Sequence, residues 1–236
     1  DIIEVNGGKY EESLKIQKSI HLKGINNPVI SAGDGRIIEV TSPKVIIEGF
    51  TFTYSSPVLS PGSTVIYIEK GADGVIIRDN RLMDILFGIW NVEGKDITIE
   101  RIIIRGAKIS DTNYRGNCIN LTGSQMAHVK DNTLSNCRDG IYMELCHDSE
   151  VTGNMVRDSR YSLHTMWVDR GNFSNNITQD SLVGMAIMYT KHSKINGNLS
   201  FGNRTHGLLL IQTVRSEISY NVVIGNTKGM FLYNSV

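Results

Sequence analysis

The sequence predicts an all-β protein, a single-stranded right-handed parallel β-helix (a solenoid) with coils of about 22 residues. Three observations predict this fold: an internal repeat of that length, short alternating apolar runs within each repeat, and a composition rich in Ile and Asn. Ile occurs 30 times and Asn 20 times in the 236 residues. Ile is β-branched and favours strands, whereas Asn favours turns. The composition therefore predicts many short strands joined by tight turns.

The repeat is visible as two parallel series, one of Asn residues and one that is mostly Gly. Successive members of each series are 22 or 23 residues apart. We expect each Asn side chain to stack on the Asn of the next coil, to hydrogen-bond along this ladder and to occupy a left-handed turn. The two series are Asn132, Asn154, Asn176, Asn198 and Asn221, and Gly140, Ser162, Gly184, Gly207 and Gly229.

Each repeat contains two or three runs of four or five alternating apolar residues, separated by Asn, Asp or Gly. Runs that short are strands. Three short strands per turn, in coils stacked about 4.8 Å apart, form a parallel β-helix. The LxxLxLxxN pattern of leucine-rich repeats is missing. The step from Gly88 to Cys118 is longer than one repeat, which predicts an insertion around Lys108–Arg115.

We expect residues 1–236 to form one β-helix domain. Residues 1–70 are interpreted as coils with irregular turns, because their strand-turn units have looser spacing, and residues 71–236 as regular coils. A solenoid needs polar caps at its ends. The sequence stops in mid-coil at the apolar segment 230–236. We therefore expect the native protein to continue beyond residue 236.

Charge and hydropathy exclude two classes of function. The chain has 24 basic and 24 acidic side chains and no net charge. Because contact with phosphates needs clustered Lys and Arg, we do not expect nucleic-acid binding. No stretch of the sequence approaches the roughly 20 apolar residues of a membrane span, so we do not expect a membrane-spanning protein.

The cysteines are Cys118, Cys137 and Cys146. Their number is odd, so they cannot all pair within the chain, and no metal-ligand spacing links them. We interpret them as buried apolar thiols, with a disulfide or a ligand role as the alternative. Their positions in the repeat do not coincide, which argues against disulfides between adjacent coils.

Side chains along a strand alternate between its two faces. In the strand that follows the Gly series, residues at the same position in successive coils can therefore be grouped into columns. The first and third positions, such as Ile141 and Met143, are mostly aliphatic and should point inward. The second and fourth positions should then form an outward stripe that is partly apolar, which usually marks a binding site unless another segment covers it. The two outward columns are Trp90, Asn120, Tyr142, His164, Ala186, Leu209 and Phe231, and Val92, Thr122, Glu144, Met166, Met188, Ile211 and Tyr233.

A candidate metal site lies within this stripe. His164 and Met166 are at i and i+2 of one strand, and Met188 should lie beside Met166 on the next coil. A set of imidazole and thioether ligands suits Cu(I) and is poor for Mg²⁺ or Ca²⁺. We predict that these three residues bind Cu(I) transiently. The alternative for a single His on a strand is an ordinary hydrogen-bonded residue.

The sequence does not favour an enzyme. Parallel β-helices that cleave polysaccharides need two or three carboxylates on one face. The outward columns contain a single acid, Glu144, and the acidic column of Asp84, Asp158 and Asp180 falls in a turn where Asx caps are expected. We predict a protein without catalytic activity. The alternative is a polysaccharide-processing or carbohydrate-binding β-helix that uses the same aromatic residues.

Several segments, spaced by one coil, resemble the NosD family. The most specific part is an R-Y-x-[LV]-H-x-M run followed one coil later by A-x-M-Y, and the N-terminal segments resemble the family's opening coils. The resemblance implies a periplasmic accessory protein of nitrous oxide reductase maturation that has no catalysis of its own. The segments are RDGIYMELCHDSEVTGN (138–154), RYSLHTMW (160–167), GMAIMYTKHSKINGN (184–198) and HGLLL (206–210).

The resemblance also implies a cargo, copper or sulfur, and three partners: nitrous oxide reductase, the membrane subunit of an ABC transporter and a copper chaperone. Thr165 departs from the pattern, because an aromatic residue is usual there. A third interpretation is a docking scaffold that never touches metal. The matching positions are Arg160, Tyr161, His164, Met166, Met188 and Tyr189. The expected partner surface consists of Trp90, Tyr142, Glu144, Arg160, Tyr161, Tyr189 and His206.

Overall fold

The computed structural model describes residues 1–33, 35–54 and 62–235. Residues 34, 55–61 and 236 belong to the predicted solenoid but lie outside the described residues. Within the described part, the chain forms thirty strands, which we number in chain order, and one short 3-10 helix, Thr112–Tyr114. The strands pair in parallel into three ten-stranded sheets, and every third strand belongs to the same sheet. The predicted parallel β-helix is therefore confirmed.

Each coil contributes one strand to each of the three sheets. The first sheet contains β1 Ile2–Val5, β4 His21–Gly24, β7 Ile46–Glu48, β10 Ile76–Arg78, β13 Thr98–Glu100, β16 His128–Lys130, β19 Glu150–Thr152, β22 Asn172–Ser174, β25 Lys194–Asn196 and β28 Glu217–Ser219. The second sheet contains β2 Lys9–Glu11, β5 Val29–Ala32, β8 Thr51–Tyr54, β11 Arg81–Ile85, β14 Ile103–Gly106, β17 Thr133–Ser135, β20 Met155–Arg157, β23 Ile177–Gln179, β26 Leu199–Phe201 and β29 Val222–Ile224. The third sheet contains β3 Leu14–Ile16, β6 Ile38–Val40, β9 Thr64–Ile68, β12 Phe87–Val92, β15 Ile119–Thr122, β18 Asp139–Glu144, β21 Tyr161–Met166, β24 Val183–Met188, β27 His206–Ile211 and β30 Lys228–Tyr233.

The pairing register agrees with the predicted spacing. Ile2 pairs with His21 and His21 with Ile46, so the first two steps along the N-terminal coils differ in length. Thr98 pairs with His128, a longer step that contains the insertion and the 3-10 helix. The later coils keep a nearly constant step, as in the pairing of His128 with Glu150.

The core is the inside of the coil, as the column analysis predicts. Apolar residues at the first position of the third-sheet strands are almost completely shielded from solvent: Ile89, Ile119, Ile141, Leu163, Met185 and Leu208. Gly140 belongs to the Gly series, which comes just before this position. A Cβ atom at Gly140 would lie 2.6 Å from the Ser162 carbonyl oxygen and would also overlap Val156. The Gly series therefore marks a close approach of successive coils.

The predicted Asn ladder is present. Asn132 Nδ2 donates to Asn154 Oδ1 at 2.9 Å, Asn154 Nδ2 donates to Asn176 Oδ1 at 3.0 Å, and the pattern continues through Asn198 to Asn221. The same oxygens accept the backbone N–H of the preceding coil, as Asn132 N donates to Asn154 Oδ1 at 3.1 Å. One side chain thus satisfies several buried polar groups where the chain turns from the first to the second sheet.

The expectation that the ladder Asn occupies the left-handed turn is wrong. The left-handed residue is the one before it, as at Asp131 (φ 54°), Gly153 (φ 69°), Asn175 (φ 57°) and Gly197 (φ 66°). Asp, Asn and Gly tolerate this backbone conformation at low cost. The ladder Asn keeps an ordinary φ because its amide must point into the coil.

The expectation of three free thiols is wrong for two of the cysteines. Cys118 and Cys137 form a disulfide between adjacent coils, with Cα atoms 5.6 Å apart, and Cys146 is free and buried. Cys137 lies between strand β17, which ends at Ser135, and strand β18, which begins at Asp139. The chain changes direction there, so a residue outside the Cys118 column still reaches it.

The ladder predicts that Asn154→Ala destabilises the fold. The change leaves the Asn132 backbone N–H and the Val129 carbonyl without the partners that Asn154 supplies. Unsatisfied buried groups cost about 1–3 kcal/mol each, so for these two groups we expect the free energy of unfolding to fall by about 2–6 kcal/mol in urea denaturation. The matched control is Asn172→Ala, since Asn172 is half-buried and outside the ladder. Equal losses in both variants would contradict the role of the ladder.

The disulfide predicts the thiol count. The denatured, unreduced chain should give one thiol per molecule with a chromogenic disulfide reagent, because only Cys146 is free. After reduction the count should rise to three. Burial raises the pKa of the Cys146 thiol to about 11, so the folded protein should react slowly even with this one thiol. Three thiols in the unreduced, denatured chain would refute the pairing.

Candidate functional site

The candidate site lies on the outer face of the third sheet, where the register brings the predicted residues together. Tyr142 of β18 pairs with His164 of β21, and Glu144 pairs with Met166. Met166 in turn pairs with Met188 of β24. Adjacent parallel strands are about 4.8 Å apart. His164 and the two methionines therefore lie on one face, within two neighbouring coils.

His164 is on the outer side of the sheet but is only 6% exposed. The Tyr142 and Tyr161 rings flank the imidazole, with ring centroids 4.9 Å from it on both sides. The next residue of the column is Ala186, so the following coil places only a methyl group beside the imidazole. His164 is thus enclosed by its neighbours, whereas the column analysis placed it on an open stripe.

The two ring nitrogens of His164 have different surroundings. Nδ1 is 2.9 Å from Asp139 Oδ2. Nε2 is buried and, among the described residues, has no hydrogen-bond partner. A buried polar atom without a partner is rare and calls for an explanation by an ion, a water molecule or a ligand. Trp90 Nε1, two coils before Tyr142 in the same outward column, is also buried without a partner among the described residues, but an indole N–H can only donate. Of these two atoms, His164 Nε2 is the one that can bind a cation.

Asp139 holds the cluster together electrostatically. Its carboxylate is almost fully buried and accepts hydrogen bonds from Arg160 Nε at 2.9 Å and Arg160 Nη2 at 2.7 Å as well as from His164. Burial alone would raise the pKa of the Asp139 carboxyl, but the hydrogen bonds from His164 and Arg160 outweigh it and hold the pKa below its ordinary value. Arg160 also lies over the Tyr161 ring, 4.5 Å from its centroid.

Met166 and Met188 supply two thioethers at the end of the same strands. The Tyr142 hydroxyl donates a weak hydrogen bond to Met166 Sδ, with an O–S distance of 3.8 Å. Burial and the nearby Glu144 carboxylate raise the pKa of Tyr142 to about 12, so the hydroxyl keeps its proton at neutral pH. Both methionines are half-buried, whereas His164 beside them is buried.

The other residues of the predicted partner surface are more dispersed. Trp90 is two coils before Tyr142 in the same column, and its ring lies 5.8 Å from the Phe87 ring. His206 is two coils after Tyr161, as the register of β21, β24 and β27 shows. Neither residue reaches the cluster around His164. The surface therefore extends along several coils, and its compact part consists of Tyr142, Glu144, Arg160, Tyr161, His164, Met166 and Met188.

Tyr189 lies in the turn after β24, and its ring stacks on that of Trp167, which lies in the turn after β21. The ring centroids are 5.3 Å apart and the planes differ by 19°. Both residues have positive φ, 54° for Trp167 and 51° for Tyr189, although bulky residues rarely adopt this conformation. Trp167 is 46% exposed. The pair forms an exposed aromatic edge directly next to the two methionines.

Sequence reasoning missed Asp139 and Trp167. Asp139 lies just before Gly140, and the strand columns were taken to begin after the Gly series, so Asp139 was not included in them. Adding one repeat length places Asp139 beside Tyr161, which the register confirms. That step would have brought its carboxylate next to Arg160 and His164. Trp167 gave no signal, because nothing in the local sequence shows that its turn faces outward.

The residues at this face fit a soft cation rather than a hard one. Within residues 1–33, 35–54 and 62–235, no group of three or more His, Cys, Asp and Glu side chains is arranged to hold a metal ion. The potential ligands on this face are the His164 nitrogen that has no partner among the described residues and the thioether sulfurs of Met166 and Met188. Thioether and imidazole ligands favour Cu(I) over Mg²⁺ or Ca²⁺.

The described residues contain no helix whose length and apolar character would let it cross a membrane.

The buried ion pair predicts a pH-dependent effect of Asp139→Asn. A carboxyl whose pKa is lower in the folded protein stabilises the fold above its ordinary pKa of 3.8, and this contribution is lost as the pH falls through the lowered value. The stability difference between the wild type and Asp139→Asn should therefore be largest above about pH 5 and should shrink toward pH 3 in urea denaturation. A difference that does not depend on pH would contradict the assignment.

The control is Asp148→Asn. Asp148 is exposed and accepts hydrogen bonds from Arg170 at 2.6 and 2.8 Å, so the same change breaks a similar pair at the surface. Exposed ion pairs contribute little to stability. Its effect should be small across the same pH range.

Comparison with solved structures supports the fold. The surface protein and adhesin PfbA of Streptococcus pneumoniae has a TM-score of 0.71 at 8% identity, covering 100% of this chain and 86% of its own. A DFA-IIIase from Arthrobacter chlorophenolicus A6 has a TM-score of 0.69 at 15% identity, covering 93% and 68%. The catalytic domain of a GH87 α-1,3-glucanase has a TM-score of 0.67 at 12% identity, covering 98% and 51%. At these identities the likeness concerns the fold alone.

Sequence comparison identifies the family. Two relatives, each named a probable ABC transporter binding protein NosD, match the chain. The relative from Pseudomonas aeruginosa is 29% identical over 136 aligned positions, which cover 56% of this chain. The relative from Stutzerimonas stutzeri is 27% identical over an alignment of 245 positions, gaps included, that covers 97% of this chain. The aligned segments span 31% and 56% of the lengths of these relatives. The model of the family described as periplasmic copper-binding protein (NosD) matches residues 91–236, so this chain belongs to the NosD family.

Proposed function

We propose that this chain is a non-enzymatic, periplasmic copper carrier that holds Cu(I) transiently at His164, Met166 and Met188. The observation that carries the proposal is the buried Nε2 atom of His164, which has no partner among the described residues and shares its face with two thioethers. The name of the family, periplasmic copper-binding protein, supports both the cargo and the compartment.

The donor set suits a carrier better than a storage site. Neutral imidazole and thioether ligands add no negative charge to the site, so they hold Cu(I) without a strong charge attraction. The Tyr142 hydroxyl already donates to Met166 Sδ, and a bound cation has to compete with this hydrogen bond. Both features weaken binding and favour release to an acceptor.

The acceptor in this proposal is nitrous oxide reductase, whose copper–sulfide centre needs copper or sulfur for assembly. The relatives are named ABC transporter binding proteins, which supports docking to the membrane subunit of such a transporter. A copper chaperone would load the site. We propose that the partners dock on the surface around the three ligands, including the exposed Trp167–Tyr189 edge, and that residues 1–236 form a single solenoid domain.

The alternative, a polysaccharide-processing or carbohydrate-binding protein, has weaker support. The structural neighbours that act on sugars share 12–15% identity with this chain, which is evidence for the fold only. Around His164, the Asp139 carboxylate is buried in an ion pair with Arg160, which leaves Glu144 as the one other carboxylate of the compact cluster, whereas acid–base work on a polysaccharide needs two or three. The stacked Trp167 and Tyr189 rings each turn one face toward the other, which leaves less ring surface for a sugar.

A Cu(I) competition titration against a chromophoric chelator tests the proposal. The wild type should bind one Cu(I) per chain, and His164→Ala/Met166→Ala should weaken binding by at least about tenfold, because each tenfold loss corresponds to only about 1.4 kcal/mol of ligand interaction. The matched control is His128→Ala/Met155→Ala, which removes the same residue types from β16 of the first sheet and β20 of the second. The control should bind like the wild type.

Equal and negligible binding by the wild type and the site variant would refute direct ligation and favour the docking scaffold. Equal losses in the site variant and the control would show that the effect is not specific to the site. Release of unsaturated uronates from alginate or pectin by the wild type would instead favour the enzyme.

A further inference from the structure

The tautomer of His164 follows from its contact with Asp139. A neutral imidazole carries its proton on one nitrogen and a lone pair on the other. Asp139 Oδ2 lies 2.9 Å from Nδ1, and an ionised carboxylate can only accept hydrogen bonds. Nδ1 must therefore be the protonated nitrogen. The lone pair is then on Nε2, the buried atom without a partner among the described residues.

Arg160 keeps Asp139 in the role of an acceptor. Its Nε and Nη2 atoms donate to the two carboxylate oxygens at 2.9 and 2.7 Å, and the guanidinium group has no acceptor of its own. Oδ2 is shared between Arg160 Nη2 and His164 Nδ1. Because Tyr142 and Tyr161 flank the imidazole at 4.9 Å, the ring cannot rotate freely to exchange its two nitrogens. Position, orientation and tautomer of His164 are thus all fixed by its neighbours.

We propose that Asp139 is a positioning residue that fixes His164 as the Nδ1–H tautomer, so that the Nε2 lone pair is available to a soft cation beside Met166 and Met188. This inference rests on the proposed function and deepens it. Metal-binding histidines commonly donate their second nitrogen to a carboxylate, which sets both the tautomer and the ring orientation. Asp139 acts through His164 and does not itself touch the cation.

Asp139→Ala is the informative variant, because it removes the acceptor that holds the Nδ1 proton. An amide at this position is less useful: Arg160 Nη2 and His164 Nδ1 both contact Oδ2, so an amide oxygen placed there would still accept from Nδ1. Without an acceptor at position 139, the ring proton is free to occupy Nε2, the nitrogen whose lone pair would bind the cation. The variant should thus lose the fixed Nδ1–H tautomer.

The experiment has two readouts. The first is the imidazole ¹⁵N spectrum of copper-free, ¹⁵N-histidine-labelled protein at pH 8, with His164 assigned by its absence in His164→Gln. We expect Nδ1–H in the wild type and in Asp148→Ala, and a substantial Nε2–H population in Asp139→Ala. The second is the Cu(I) competition titration, in which Asp139→Ala should bind about 10–100-fold more weakly than the wild type. Circular dichroism checks that each variant is folded.

The outcomes separate this inference from the proposed function. An Nε2–H tautomer in the wild type overturns the inference and needs no variant, so this test holds even if Asp139→Ala does not fold. A purely Nδ1–H tautomer in folded Asp139→Ala, or unchanged Cu(I) affinity despite a changed tautomer, also overturns it. A changed tautomer in Asp139→Ala, together with a wild type that binds no Cu(I), refutes the copper carrier and leaves the tautomer control by Asp139 standing.

Discussion

The structure depends on the parallel hydrogen-bonded register between successive coils. Each strand pairs with the strand one coil before and one coil after, so residues one repeat apart become neighbours on one face. The register converts a one-dimensional repeat into columns, of which the inward ones form the core and the outward ones a continuous surface. A slip of one residue would exchange the two faces. The buried Asn ladder opposes such a slip, because a shifted register would break the hydrogen bonds between the Asn amides of successive coils.

Much of the fold could be predicted from the sequence, because the spacing of the repeats gives the pairing register directly. The three sheets, the insertion around Lys108–Arg115 and the inward position of Ile141 and Met143 follow from the spacing alone, and the structure has them all. The turns could not be predicted in the same way. Spacing shows that a turn recurs but not its backbone path, so the left-handed position was assigned to the wrong residue and the Cys118–Cys137 pair was missed.

The candidate site could also be predicted only in part. The columns bring Tyr142, His164, Met166 and Met188 together, and the structure shows the same pairs. Burial of His164 was not predicted, since it depends on side chains outside the two columns, among them Tyr161 and Asp139. Asp139 lies at the corner where the second sheet passes into the third. Periodic patterns describe strands well, whereas the polar groups that orient a site often lie at the corners between them.

In the proposed copper site, the corner position of Asp139 would make the nitrogen ligand ordered and leave the thioether ligands exchangeable. Asp139 and Arg160 hold His164 from the corner side, with a buried and fully paired carboxylate, so the nitrogen ligand is fixed before any cation arrives. The thioethers lie at the opposite end of the strands, where Met166 accepts only a weak hydrogen bond from Tyr142 and both methionines are half-buried. A cation bound between them would therefore meet one rigid ligand and two adaptable ones. Since only the adaptable side has to move, an acceptor that docks there could withdraw Cu(I) without disturbing the coil.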